Sequence, residues 1–526
     1  MRKLITILTV ILLSISQLFA QRNDLASRDQ SLVSKIYSVD SALVQLYQFS
    51  KENPFFIEKM MPNKYNNLTV KYDFDQGHYI PVQGATKINS ISLFSEGKTT
   101  LEKFHLYGSF NYQRSTEDST RWAHQSRFSN SSPFYFGSIK NNHYERSVYK
   151  INAAVSRPVI GNNLPLTLGL DYRIGNHFSN NDPRGDVKDF QLNINPALGY
   201  NITSKLLIGI GYQYGYGREQ IGVGYKNSSY FENTVNEIFT NYLISGYASA
   251  QILQTKNLLR YDNNQDRHYG KIYTNYAITA NDNLILALKK GKESQLFKRN
   301  FIDNAGFSEF MTYNIERSSA DLIWHKKTGK NEINFAINYN YDAGAGYDNE
   351  LSGINYINDE EYYGLKLFYT LKGKNGFINN FNFGVQHFED IKKDGNYSVN
   401  ISYRRINFNA GWGINKLLDK NHSFGAAVTA NYSLKTSSNF YAPVENENVF
   451  YNYVMYPDYQ FNTSNNYAIG LSADYSFPTY KGIQTSIRVS GNYIQRTGNY
   501  VDLQRTTLNT PGKDRFSSNI SLNLYF

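Results

Sequence analysis

Residues 164–174 read Leu-Pro-Leu-Thr-Leu-Gly-Leu-Asp-Tyr-Arg-Ile. Leu164, Leu166, Leu168, Leu170, Tyr172 and Ile174 fall on every second position, with Thr167, Gly169, Asp171 and Arg173 between them. Successive side chains of a β-strand point to opposite faces, so this spacing gives one apolar face and one wet face. The period returns in 333–341, 363–371, 424–434 and 467–477. Segments of about ten residues alternating in this way between turn residues are the signature of strands that cross a bilayer as a closed barrel. A soluble sheet also alternates, but it buries a mixed aliphatic face, whereas here a Tyr- and Leu-rich face opposes an Asn, Ser and Gly face in segment after segment.

Connection lengths set strand number and orientation. Short connections fall near 95–99, 159–163, 201–205, 279–283, 327–331, 372–376, 414–422 and 478–482, and long ones near 114–143, 217–267, 342–360, 435–465 and 496–514. Membrane barrels keep short turns at the inner end and long loops outside. Two strands per short turn, a first strand near 66–75 and a closing one at 515–526 predict an all-β, transmembrane antiparallel barrel of about 18 strands, within a range of about 14 to 18. An Ile221, Val223, Tyr225 alternation in the 217–267 connection leaves room for a further hairpin or a longer strand.

Composition agrees. The chain has 45 Tyr and 33 Phe, and its mean hydropathy is −0.52. Past the first residues nothing approaches the roughly 20 consecutive apolar residues of a helical span, while aromatics with one apolar and one wet end suit a membrane interface. There is no Cys, which excludes disulfides and thiolate metal sites. A net charge of +10 over 526 residues, without a dense basic block, does not describe a nucleic-acid binder.

The amino-terminal end reads differently. Arg2 and Lys3, an apolar run from Leu4 to Leu13 and the small Ala20 form a secretory signal, residues 1–20, expected to be cleaved after Ala20. Residues 21–65 do not alternate. Val39, Leu43, Leu46 and Tyr47 instead fall at helical spacing, which predicts a short amphipathic helix capped by Ser38 or Asp40. A barrel this wide cannot fill its own lumen, so the segment is expected as a plug or, failing that, as a periplasmic element, with the barrel itself spanning 66–526.

At the other end Phe516, Ile520, Leu522, Leu524 and the terminal Phe526 alternate with Ser517, Asn519, Ser521 and Asn523. This resembles the carboxy-terminal signal of barrels folded by the bacterial barrel-assembly (BAM) machinery. With the Asn- and Tyr-rich strands and Gln21 after the cleavage site, the texture resembles an outer-membrane β-barrel family of Bacteroidota-type bacteria. The resemblance implies an outer-membrane address in a Gram-negative envelope, contact with outer-membrane lipid, and company with a TonB-dependent transporter or a surface secretion system.

No chemistry stands out along the chain. The nine His are dispersed without metal-ligand spacing. His177 has Asp182 and Asp186 nearby, and His387 has Glu389 and Asp390, but neither has a nucleophile partner. The expectation is therefore no enzyme, no cofactor and no metal. Gly209, Gly211, Gly215 and Gly217 lack the following helix of a phosphate loop and read as small lumen-facing residues. The acids Asp348, Glu350, Asp359, Glu360 and Glu361 are the better candidate for loose cation binding at the surface.

What remains is the lumen and the loops. Alternation sends Asp171, Arg173, Lys366, Asp474 and Arg488 inward, a mixed-sign lining that suits water and polar solutes. In 397–412 the phase slips: Tyr397, Val399, Ile401 and Tyr403 share one register, and Ile406, Phe408, Ala410 and Trp412 the other. A β-bulge near Arg404 and Arg405 would return both sets to the lipid side and aim Arg404 into the lumen, while a strand reaching past the membrane would leave the Arg exposed. Tyr441, Tyr451, Tyr453, Tyr456 and Tyr459 crowd one long loop, either as surface contacts for a sugar or a partner protein or folded inward as a lid. These features predict a channel or transport-associated barrel for polar solutes. The alternatives are a non-conducting barrel that docks envelope proteins and a fatty-acid-type transporter with an amino-terminal hatch.

Overall fold

The computed structural model describes residues 40–526 except 63, 127–130, 161–162, 233–236, 253–258, 301–306, 374–375, 420–421 and 480–482. The expected signal and its cleavage site lie outside the described residues. Eighteen strands form one antiparallel ring. They are β1 (Tyr65–Gly77), β2 (Lys87–Leu101), β3 (Phe104–Thr120), β5 (Asn142–Pro158), β6 (Pro165–Ser179), β7 (Arg184–Asn201) and β8 (Leu206–Gly224). After these come β11 (Leu259–Thr279), β12 (Asp282–Asn300), β13 (Phe307–Thr328), β14 (Asn331–Asp348), β15 (Gly353–Lys372) and β16 (Phe377–Asp394). The ring is completed by β17 (Val399–Leu417), β18 (Ser423–Tyr441), β19 (Asn465–Pro478), β20 (Gln484–Thr497) and β21 (Asp514–Tyr525). Three short strands, β4 (Phe134–Gly137), β9 (Tyr242–Ser245) and β10 (Ser249–Ile252), make a separate sheet within the long loops.

Closure follows from pairing β1 with β21, from Asn67 opposite Tyr525 to Gly77 opposite Arg515. It leaves the sheet without an edge, so no row of backbone N–H and C=O groups goes unpaired. The outer face carries the predicted apolar stripe: Leu168 is 47% exposed, Leu365 46% and Leu471 63%, and Phe516, Ile520 and Leu522 of the last strand are exposed too. Water penalises such a belt, whereas the hydrocarbon of a bilayer covers it.

Most short turns fall where the sequence puts them, but two connections differ. Strand β2 runs through 95–99 and reverses at Glu102–Lys103. Glu96 and Lys98 look like turn residues, yet both are buried on the inner face against the amino-terminal segment. The 342–360 stretch is mostly strand, because β14 continues to Asp348 and β15 starts at Gly353. The phase slip in β17 has a third explanation. The register irregularity does lie at Arg404 and Arg405, but the extra residue is Thr436 on β18, and β17 alternates without a break. Val399 and Ile401 are apolar because they face inward, into the packed loops, and Tyr403 is buried on the same inner face.

At the short-turn end the chain before β1 enters the lumen. Asp40 caps the helix Ser41–Glu52, accepting from the N–H groups of Ala42 and Leu43 at 3.1 and 3.2 Å. Leu46, Phe49, Phe55 and Phe56 then pack on an apolar arc of the wall formed by Leu207, Tyr273, Ile285, Ala287, Ile323 and Ala336. The Phe55 ring stacks on Tyr273 with centroids 4.7 Å apart and lies over Gly199 and Gly209, where a Cβ would collide with it. Polar anchors finish the seat. The Lys98 ammonium donates to the carbonyls of Ile57, Glu58 and Met61 at 2.9, 3.2 and 2.9 Å, and Lys51 meets Glu96 at 2.8 Å.

Two outcomes test this architecture. Leu168→Arg, on the lipid-facing belt, is expected to lower stability by about 2–4 kcal/mol in urea unfolding from lipid vesicles, the range for Arg near a bilayer midplane; an unchanged midpoint would remove Leu168 from the hydrocarbon. Gly209→Leu is expected to push Phe55 off the wall and open the Lys51 and Lys59 bonds to trypsin while the barrel still resists unfolding in SDS, and a segment that stays protected would contradict the packing.

Candidate functional site: a polar chamber in the lumen

Above the amino-terminal segment the lumen holds a cavity of about 780 Å³, within the size range of small-ligand sites. Lys51, Glu52, Asn53 and Pro54 form its floor, and Asp171, Asn195, Lys271, Lys289, Asp321, Asn338 and Lys366 are among its walls. Each wall residue sits on the inward parity of its strand, opposite an outward apolar neighbour such as Leu170, Ile272 or Leu365. Glu52 brings the helix end into the same field: burial raises its pKa, Asp321 adds to the rise, and Lys366 and Lys289 oppose it. A smaller space of about 390 Å³ runs beside the helix, between Ser41, Val44, Gln45 and Gln48 and a wall of small residues that includes Gly413, Ala427 and Ser472.

On the long-loop side of the chamber, Arg267 meets Glu293 at 3.2 Å, and Arg317 meets Glu293 at 3.6 Å and Asp342 at 3.3 Å. Beyond them the loops fold inward as a lid. Trp122, Tyr242, Ile244, Phe450, Tyr451, Met455 and Tyr456 share one buried core with Val399 and Ile401 of the wall. The small sheet seats Phe134, Phe136 and Leu243 on a second core with Ile221, Val223, Met311 and Tyr313. Asp458, half-buried in the helix Tyr456–Asn462, accepts from the Val82 N–H at 2.8 Å. Burial pushes its pKa up to about 6, with Asp390 adding and Lys392 opposing.

The residues anticipated from sequence divide. Asp171 and Lys366 line the chamber, and Asp474 and Arg488, 3.6 Å apart, line the space beside the helix. Arg173 points inward but is tied to Asp189, which also holds the buried His177 at 2.8 Å. Arg404 does not face the lumen. It shares the outward parity of Phe408 and Trp412 and pairs with Glu389 at 2.9 Å. The loop aromatics are mostly internal: Tyr451, Tyr456 and Tyr459 are buried, Tyr453 is half-buried against Trp122, and of the five only Tyr441 is exposed. Alternation also separates His387 and Glu389, outside, from Asp390, inside and bonded to Tyr403 at 2.6 Å. No group of three or more His, Asp or Glu placed to hold a metal occurs among the described residues.

Sequence reading missed Lys271, Lys289 and Asp321. Aromatic residues occupy both faces of β11 at Tyr269, Tyr273 and Tyr276, which hides its parity. In β12 the run Leu284-Ile285-Leu286-Ala287-Leu288 is apolar on both faces. That run is itself a usable signal, since an inward apolar stretch in a wet lumen requires something apolar to cover it.

Among solved structures, the chain aligns with the copper transporter OprC at 7% identity and a TM-score of 0.42, covering 88% of this chain and 80% of that one. It aligns with the FrpB iron transporter of Neisseria meningitidis at 8% identity and a TM-score of 0.37, over 90% and 82% of the two chains. A FadL homologue of Pseudomonas aeruginosa aligns at 10% identity and a TM-score of 0.31, over 89% and 91%. Likenesses of this size assign neither substrate nor partner. No curated protein matches the sequence. Residues 54–526 match the model of a family of unknown function, DUF6850, and the chain belongs to that family.

Proposed function

We propose that the chain is an exported outer-membrane barrel that passes small polar solutes through a gated lumen, with the amino-terminal segment as plug and the folded loops as lid. The supporting observation is the polar chamber of about 780 Å³ above the segment and within the ring. A scaffold needs no such space, whereas a gated passage needs a compartment that water and solute share. A fatty-acid route would need an apolar interior, and this one is lined by Lys, Asp and Asn. The docking alternative, in which the barrel accompanies a TonB-dependent transporter or another envelope protein, has less behind it because most of the loop aromatics are engaged in the lid core.

In planar bilayers the wild type is expected to conduct weakly, and replacing residues 443–463 with a short Gly/Ser linker is expected to raise single-channel conductance severalfold. A barrel that stays silent without its lid and co-purifies with an envelope protein would favour the scaffold.

The lid should also respond to pH through Asp458. Its pKa is raised to about 6 in the closed lid, against about 3.9 when exposed, so the closed form holds the proton more tightly. Closure is therefore strongest below about pH 4, weakens as pH rises through the window from about 4 to 6, and levels off above it. Quenching of Trp122, buried in the lid core, by acrylamide in a Trp324→Phe, Trp412→Phe background should rise across that window. Asp458→Asn should flatten the profile, and a profile that persists in the variant would assign the effect to another group.

A further inference from the structure

Charges on the inner wall close to the chamber are largely satisfied by neighbours. Arg267 and Glu293 are direct register partners and meet at 3.2 Å, and Arg317 bridges to Glu293 and Asp342. A few residues nearer the short turns the pattern inverts. Lys271 of β11 and Lys289 of β12 stand directly opposite each other in register, both inward, both lining the chamber. Like charges in that arrangement destabilise a strand pair. The Lys271 ammonium is met by a neutral acceptor, Asn195 Oδ1, at 2.9 Å, and the Lys289 ammonium lies over the Tyr269 ring at 5.3 Å. Lys366, from β15, completes the group on the same cavity. Among the described residues none of the three closes an ion pair, although Glu52, Asp171 and Asp321 share the chamber with them.

We propose that Lys271, Lys289 and Lys366 form an oxyanion-binding subsite, and that the solute held in the chamber carries a carboxylate or phosphate group. An anion seated between the ammonium groups offsets their repulsion with two attractions. The low-dielectric wall makes each attraction stronger than in open water. Lysine suits either oxyanion, because it acts as a mobile point charge without a fixed hydrogen-bond geometry. Glu52, Asp171 and Asp321, which line the same cavity, can take hydroxyl or ammonium groups of the same solute. The subsite deepens the transport reading and rests on it for the solute's onward path, while binding itself requires no flux.

The full-length protein in detergent, titrated calorimetrically with inorganic phosphate, succinate and sucrose, tests the subsite. Phosphate or succinate is expected to bind, their relative affinity telling phosphate from carboxylate, and sucrose is expected not to. Lys289→Gln and Lys366→Gln should each weaken binding at least tenfold, and Lys289→Arg should keep it. Without ligand, Lys289→Gln should melt above the wild type, since it removes the repulsion with Lys271. Neither oxyanion binding, affinity unchanged in both Gln variants, or a lower melting temperature for ligand-free Lys289→Gln would each overturn the proposal. A barrel silent in bilayers that still binds phosphate would retain the subsite and lose only the transport reading.

Discussion

Backbone hydrogen bonding in a medium without water is the constraint from which the rest follows. A strand that crosses hydrocarbon must pair on both sides, so the sheet has to close, and here β1 pairs with both β2 and β21. Eighteen strands set the circumference. A ring of that size encloses more space than its inward side chains occupy, so the lumen must be filled by water, by solute or by the chain itself. All the special features of this molecule are answers to that surplus volume.

The answers are layered along the barrel. Near the short turns the inner wall is apolar over one arc, matched to Phe49, Phe55 and Phe56 of the entering segment. In the middle it is polar and carries Lys, Asp and Asn around open space. Toward the long loops it becomes aromatic and aliphatic again, at Tyr261, Phe297, Met311, Tyr313 and Ile401, because the loops fold down onto it. The outer face has no such layering over its apolar belt, since a bilayer core presents the same solvent at every point around the ring.

This difference explains what was legible in the sequence. The outer face obeys one rule, and residues such as Leu168, Phe335, Leu365 and Leu471 announce the strands, their number and the lipid side by period alone. The inner face obeys three rules in succession, and period-two reading confuses them. Val399 and Ile401 look lipid-facing because they are apolar, although they pack the lid. Glu96 and Lys98 look like a turn because they are charged, although they anchor the entering segment. Asp171 and Lys366 are legible because their strands keep strictly apolar outward neighbours, while strands that are apolar or aromatic on both faces hide Lys271 and Lys289. The loop tyrosines are legible as a cluster, but their direction depends on contacts far away in sequence, such as Trp122 with Tyr453.

The two coverings of the lumen are held by different physics, and that sets how each can yield. The lid is an apolar core built from large aromatic side chains, each worth about 150–250 Å² of buried surface, so opening it exposes greasy area that nothing in water compensates. The entering segment is held by fewer aromatics and by charges: Lys98 on three backbone carbonyls, Lys51 on Glu96, and Asp40 against Lys372 at 2.7 Å. A buried ion pair contributes little net stability, because desolvation offsets most of its attraction. When the segment leaves and water enters, Lys98, Glu96 and Lys372 recover hydration instead of being stranded. The short-turn end is thus closed by a seat whose polar half is nearly neutral to withdrawal, and the long-loop end by a core whose apolar face resists it.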